Sequence, residues 1–170
     1  MNDSQVHLEH KLQQHHQASY GWAVACCRYD YEQGAEVLQT AYLKILEGRA
    51  VFNGRSSFKT WLFSVIRNTA RDQLRKEQIR SVVLSTLRLE PVTYPDPDEE
   101  MSRSLEVDRL VAALSSLSKR QQEVLHLVFY QDLTIQEAGH VLGISPGSAA
   151  RHYARGKAIL RDKLADWSEP

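Results

Sequence analysis

The sequence is short of the features that mark most chemistries. Its 170 residues hold two cysteines, adjacent at Cys26 and Cys27. An adjacent pair cannot build a disulfide framework and suits a reducing compartment. No apolar run approaches the roughly 20 residues of a membrane span, so no membrane insertion is expected. The N-terminus is polar and His-rich and lacks the apolar core of a secretory signal. No Ser/His/Asp order, phosphate-cradling glycine loop or spaced cysteine cluster appears. Catalytic residues, a cofactor and an enzymatic activity are therefore not expected. Strand-like alternation is missing as well, so the chain reads as all-α. Net charge is zero, with Lys+Arg 21 against Asp+Glu 21, and the composition is 42% hydrophobic. That is ordinary for a soluble cytoplasmic protein with apolar material for one modest core or two small ones.

The zero hides a segregation along the chain. Between Arg49 and Arg80 the cations are Arg49, Arg55, Lys59, Arg67, Arg71, Arg75, Lys76 and Arg80, against Asp72 and Glu77 alone. Between Pro91 and Asp108 the balance inverts: Asp96, Asp98, Glu99, Glu100, Glu106 and Asp108 face only Arg103. Between Ser145 and Leu164 it inverts again, with Arg151, Arg155, Lys157, Arg161 and Lys163 against Asp162. Basic blocks at helical spacing are the footprint of a polyanion partner, although solvated helix faces look the same. The acidic bridge carries Pro91, Pro95 and Pro97, which remove backbone donors and hold their predecessors extended. It reads as a linker over 81–104. The linker divides the chain into a polar His-rich tail over 1–19, a helical unit over 20–80 and a second helical unit over 105–167. The fold class is thus two small helical domains joined by an acidic, proline-containing linker.

The helices read coarsely. In 35–47, Val37, Leu38, Ala41, Tyr42 and Ile45 form one apolar stripe. A more apolar helix precedes it at 20–29. Residues 51–57, with Asn53-Gly54 and three following polar residues, form a loop. A long helix runs from Phe58 to Arg80, its stripe traced by Phe58, Leu62, Val65, Ile66, Thr69 and Gln73 or Leu74. Arg67, Arg71, Arg75 and Lys76 lie off that stripe, stacked along another face. Cations in a row repel, and an anionic partner would explain them. In the second unit a helix covers about 104–116. Another covers Lys119–Tyr130, capped by Ser118. Thr134 with Glu137 is a capping-box pattern for a helix ending at Gly143. A last basic helix starts after Ser145. The final two, joined by a tight glycine-containing turn, have the layout of a helix-turn-helix.

These residues resemble a known family. AEVLQTAYLKILEG followed by SFKTWLFSVIRNTARDQLRK is similar to the second conserved region of the extracytoplasmic-function (ECF) class of bacterial sigma factors. LSSLSKRQQEVLHLVFYQDLTIQEAGHVLGISPGSAARHYARGKAILRDKL is similar to the fourth. The resemblance covers most of 20–166, in the family's order. It implies an alternative sigma factor that binds core RNA polymerase, recognises −10 and −35 promoter elements and is masked by an anti-sigma factor. Helix 35–47 would dock on the polymerase clamp helices through Glu36, Gln39, Thr40 and Leu43. The family commonly has Asp at the place of Glu36 and Glu at that of Thr40. Phe52, Asn53, Ser56, Trp61 and Asn68 would capture an unstacked −10 base. Arg67, Arg71 and Arg75 would hold phosphates. Ser148, Arg151, His152, Arg155 and Lys157 would read or clamp the −35 duplex. Ala150 and Ala154 stand where the family commonly has a basic and a bulky residue, which implies an unusual −35 sequence. Helix 119–130 would partly face the polymerase flap.

A stand-alone helix-turn-helix regulator is the rival reading, and it leaves the first 80 residues without a task. His7, His10, His15 and His16, with Cys26 and Cys27 nearby, suggest a metal site only weakly, and none is expected. The two cysteines are expected as small buried residues of the first helix. Geometry also bears on the arrangement. The family's two elements lie about 50–60 Å apart at ~34 Å per DNA turn. A 170-residue globule has a radius of gyration of about 15 Å. One globule could not span both, whereas two units on a linker of about 25 residues, at up to ~3.3 Å each, can.

Overall fold

The computed structural model describes residues 3–86, 110 and 112–165. Every regular element among them is helical: α1 (Asp3–Gln14), α2 (His16–Cys26), α3 (Tyr31–Leu46), α4 (Phe58–Thr86), α5 (Lys119–Leu125), α6 (Ile135–Leu142) and α7 (Pro146–Leu164). The helix expected over 104–116 lies mostly outside the described residues, with 112–115 helical. The core of the acidic bridge, from 87 to 104, lies outside them too.

The helix ends follow local chemistry. Asp30 caps α3, its side chain accepting from Gln33 N at 2.9 Å. Ser118 with Gln121 and Thr134 with Glu137 form reciprocal capping boxes at α5 and α6. Each box satisfies backbone donors that the helix cannot pair itself. Gly143 closes α6 in the left-handed region, φ 63°, where glycine carries no Cβ penalty. Ser145 caps α7, and Pro146 stands at its first position, where its missing N–H costs nothing. After Leu125 the α5 helix continues as one π turn, His126–Tyr130.

Two expectations are corrected here. The N-terminal stretch is not a tail: α1 and the start of α2 occupy it, with Leu12 buried and Leu8 packed on the core. Leu8 and Leu12 are one turn apart, enough apolar surface to seat a short helix among polar residues. Helix α4 runs to Thr86, beyond the boundary expected at Arg80. Ser81 to Thr86 contain no proline or glycine to stop it.

The two units share one core. Trp22, Val37, Ala41, Leu62, Phe63 and Ile66 from the first half form a single cluster with Val124, Leu127, Ala138, Val141 and Leu142 from the second. Helix α4 lies in the middle. Leu62, Ile66 and Thr69 of its expected stripe are buried, and α4 packs on α2 and α3. A second stripe, Thr60, Phe63, Arg67 and Ala70, is also buried. Its 3–4 residue spacing marks another helical face, and α4 packs there on α6. A helix serving two units buries more than one face, which is why Phe63 was missing from the single-stripe reading. Cross-seam bonds complete the packing: Lys59 Nζ donates to Gln131 O at 2.5 Å, and Thr60 Oγ1 donates to Glu137 Oε1 at 3.5 Å.

Candidate nucleic-acid interface

The loop before α4 and the first turns of α4 bring three aromatic rings together. Phe52, Phe58 and Trp61 lie with ring centroids 5.3–5.5 Å apart in every pairing. All three are half-buried, and Phe58 and Trp61 also pack against the core. His15 stacks on Phe58 at 5.9 Å, and Lys11 Nζ stands over the same ring at 5.4 Å. Phe58, His15 and Lys11 were not among the expected site residues. The signal for Phe58 was its place three residues before Trp61; nothing in the sequence joined α1 to this cluster. Burial, with Lys59 and Lys11 nearby, holds the His15 pKa below its ordinary value. Asn53 is exposed, its Oδ1 accepting from Arg55 N at 3.2 Å, and Gly54 follows at φ 74°. Ser56 Oγ donates to Ser57 O at 3.2 Å.

Asn68 is not part of this cluster. It lines an open cleft of about 1360 Å³ together with Cys27, Arg28, Arg71, Arg75 and Lys119. The acids of that cleft are engaged: Glu77 accepts from Gln33 Nε2, Asp30 caps α3 and Asp72 pairs with Lys44 at 3.5 Å. Arg71 and Arg75 are exposed along one edge. The cysteines face inward. Burial raises the Cys27 thiol to about 11 and the Cys26 thiol well above its ordinary value. Both therefore stay protonated near neutral pH.

Arg67 departs from the expected cationic row. It is 4% exposed, and its Nε donates to Glu123 Oε1 at 3.3 Å. Each step of four residues rotates a helix position by about 40°. Across Arg67, Arg71 and Arg75 the row therefore drifts by about 80°, from the seam to the solvent.

In the helix-turn-helix, α6 and α7 meet closely at Gly139. A Cβ there would stand 3.1 Å from Ile144 O and 3.4 Å from the Ala149 side chain. Helix α7 crosses α5 at Gly156, where a Cβ would stand 2.8 Å from Leu125 Cδ1. These contacts turn the other side of α7 outward. Ala150, Arg151, Ala154, Arg155 and Lys157 are exposed, and Ser148 and His152 are half-buried. Ser148 also donates its backbone N–H to the Ser145 cap at 3.1 Å. Lys157 Nζ lies over the Tyr153 ring, 5.4 Å from its centroid.

A separate groove of about 380 Å³ runs between α2 and α3, lined by His16, Tyr20, Leu38, Gln39, Tyr42 and Leu43 among others. Leu43 is 47% exposed there. Of the four residues expected to contact polymerase, Gln39 and Leu43 line this groove. Glu36 is exposed outside the lining. Thr40 turns toward α4, its Oγ1 accepting from Gln73 Nε2 at 3.2 Å.

At the seam, His126 packs on Trp22 at 5.4 Å and stacks on Tyr130 at 5.4 Å. Gln131 Nε2 lies 3.2 Å from its Nε2, so a neutral imidazole accepts there. Burial pushes its pKa down to about 4. An unfolded chain, with an ordinary value of about 6.5, binds this proton more readily. The stabilising contribution is therefore present above about pH 6.5 and lost as the pH falls toward 4. Urea melts at pH 7.5 and pH 5 are expected to differ by about 2 kcal/mol more for the natural chain than for His126→Phe. Equal pH slopes would contradict a neutral, half-buried His126.

Among the described residues no helix is long and apolar enough to cross a membrane, and no group of three or more His, Cys, Asp or Glu could hold a metal ion.

The Sigma-70 region 2 family matches residues 12–80, and the Sigma-70, region 4 family matches residues 113–162. A helical unit of the first kind followed by a helix-turn-helix unit of the second defines the sigma-70 family of transcription initiation factors, and the chain belongs to it. Within that family it is an alternative sigma factor of the ECF class. It is 34% identical over 140 residues to the ECF RNA polymerase sigma factor SigX of Bacillus subtilis, covering 79% of this chain and 72% of that protein. Its fold is similar to the sigma factor RpoE of Bartonella quintana, solved in complex with the anti-sigma factor NepR. That likeness has a TM-score of 0.70 at 21% identity, covering 93% of this chain and 96% of that one. It is also similar to CnrH in complex with the cytosolic domain of CnrY, with a TM-score of 0.62 at 20% identity, covering 95% and 88%.

Proposed function

We propose a division of labour among the three surfaces. The aromatic cluster, with Phe52, Asn53, Ser56 and Trp61, takes up an unstacked base of the −10 element, because aromatic faces stack any base once the strands part. Asn68 contacts the same strand farther along α4. Arg71 and Arg75, joined by Arg67 once the seam opens, neutralise its phosphates. Such contacts supply affinity and salt dependence without reading sequence. Helix α7 enters the major groove of the −35 element. Arg151 and Arg155 present guanidinium forks to base edges, Ser148 and His152 flank them, and Lys157 holds backbone. The groove between α2 and α3, through Gln39 and Leu43 with Glu36 beside it, receives the polymerase clamp helices. Thr40 supports that surface from behind through Gln73. The exposed aromatics after α5, Phe129 and Tyr130, suit the polymerase flap. The protein acts in the cytoplasm, catalyses no reaction of its own, and is held in check by an anti-sigma factor, as the complexes of RpoE and CnrH suggest.

The observation that carries this reading is the pairing of an aromatic cluster at the head of a basic helix with a separate helix-turn-helix that presents two arginines. A stand-alone regulator has no use for the first. The test separates core binding from promoter reading. The full chain co-elutes with sigma-free bacterial core polymerase on a sizing column. Arg155→Ala keeps that co-elution and lowers transcription from −35-dependent promoters about tenfold or more, the loss of one bidentate base contact. Unchanged promoter dependence in Arg155→Ala would contradict this register of α7.

A further inference from the structure

Arg67 and Glu123 are both almost wholly buried, their side chains 5% and 7% exposed. They come from opposite sides of the seam, Arg67 from α4 and Glu123 from α5. Glu123 Oε1 accepts from Arg67 Nε at 3.3 Å, and Oε2 accepts from Arg120 Nη1 at 3.1 Å. One carboxylate is thus clamped between two guanidinium groups, the arrangement a phosphodiester oxygen pair takes between two arginines.

The two partners are held unequally. Arg120 and Glu123 are three residues apart on one helix and stay paired if the seam opens. Arg67 loses its only acidic partner among the described residues. In the closed chain the buried guanidinium is paired with Glu123; opening the seam exposes it to water and frees its donors for a phosphate.

We propose that Glu123 is an internal stand-in for a promoter phosphate. It latches the chain closed by occupying Arg67, and nucleic acid opens the chain by replacing it. The inference rests on the assignment of Arg67 to the −10 strand and adds its regulation. The closed form cannot initiate for two physical reasons. Arg67 is withdrawn from the basic edge formed by Arg71 and Arg75. The two DNA-reading units are also packed on one core, while the family's promoter elements lie about 50–60 Å apart. The groove lined by Gln39 and Leu43 does not involve the seam, so the latch leaves polymerase docking open and controls the step after it. Lys59, through Gln131 O at 2.5 Å, and Thr60, through Glu137 Oε1 at 3.5 Å, hold the same seam.

The test uses the full chain, with Glu123→Gln as the first variant. It keeps the shape of the side chain and removes the charge that competes with phosphate. Three properties are read: helicity by circular dichroism, radius of gyration by small-angle scattering, and affinity for a fluorescein-labelled 12-nucleotide mixed-sequence single strand. The natural chain is expected near the compact value of about 15 Å. Glu123→Gln, with helicity retained, is expected to expand and to bind the oligonucleotide about tenfold more tightly, because apparent affinity scales with the open fraction. Where Glu123→Gln loses helicity, the charge swap Arg67→Glu/Glu123→Arg supplies the reading: it restores compactness that Arg67→Glu alone loses. A Glu123→Gln chain that is fully helical, equally compact and no tighter on the oligonucleotide would overturn the latch. So would a swap that fails to restore compactness. Neither arm needs polymerase. A chain that opens as described yet never supports initiation would leave the latch standing and contradict the assignment of its target.

Discussion

Phe52→Ala/Trp61→Ala is expected to lower promoter-dependent transcription by about 100-fold while leaving co-elution with core polymerase intact. Stacking of one base on an aromatic side chain is worth about 1–3 kcal/mol, and each 1.4 kcal/mol is tenfold. Phe52 and Trp61 lie 5.3 Å apart by ring centroids, so removing both leaves Phe58 as the lone ring of the cluster. All three rings are half-buried, and the truncation opens a surface dent instead of a core cavity. Trp61 also packs against the core, so some stability is lost, and retained helicity serves as the control. The deficit belongs to strand opening, so it is read as loss of heparin-resistant complexes with closed complexes still forming. A pre-melted promoter, bubbled across the −10 element, recovers part of the loss. Full activity of the double variant on duplex promoters would contradict the assignment of the cluster to a base.

The second large effect concerns stability. Trp22 is fully buried, its Nε1 donates to Phe63 O at 3.0 Å, and its ring packs on Phe63 and on His126. It therefore joins α2 to α4 and, across the seam, to the π turn after α5. Trp22→Ala removes a large transfer term, leaves a cavity and strands a carbonyl lone pair. The expected cost is about 3–5 kcal/mol, which lowers the melting temperature by about 10 °C in a chain of this size. Because the cavity spans the seam, the two units loosen from each other as well. Trp22→Phe, which keeps most of the volume, is expected to cost less than half as much. A Trp22→Ala variant melting within about 2 °C of the natural chain would show that the shared core contributes little.

The sequence carried the local structure well and the tertiary arrangement poorly, and the reasons are physical. The caps Ser118, Thr134 and Ser145, the stop at Gly143 and the α3 stripe Val37, Leu38, Ala41 and Ile45 are set by interactions within one or two turns. Such signals survive in a linear reading. The start of α3 was placed too late, although Asp30 is an ordinary cap, because Tyr31 to Gly34 carry no apolar stripe. Phe63 and Arg67 went astray for a different reason. Their face of α4 is buried by a segment about 60 residues further along, and no local period announces a partner that distant. Glu123 was invisible for the same reason, since an isolated acid beside Arg120 reads as a surface pair. At the candidate site, the aromatic pair Phe52 and Trp61 was legible because loop and helix start are adjacent in sequence. His15 and Lys11 over Phe58 were not, because α1 reaches them only through tertiary packing.

Direction of a bacterial polymerase to promoters is the role assigned to this chain. It is tested by run-off transcription with purified full-length chain, sigma-free core polymerase and a library of genomic promoter fragments. Transcripts that begin only when the chain is present, with two shared upstream sequence elements, are the predicted result. No chain-dependent transcript, together with direct binding of the chain alone to promoter duplex, would contradict it and point to a regulator that works without the polymerase core.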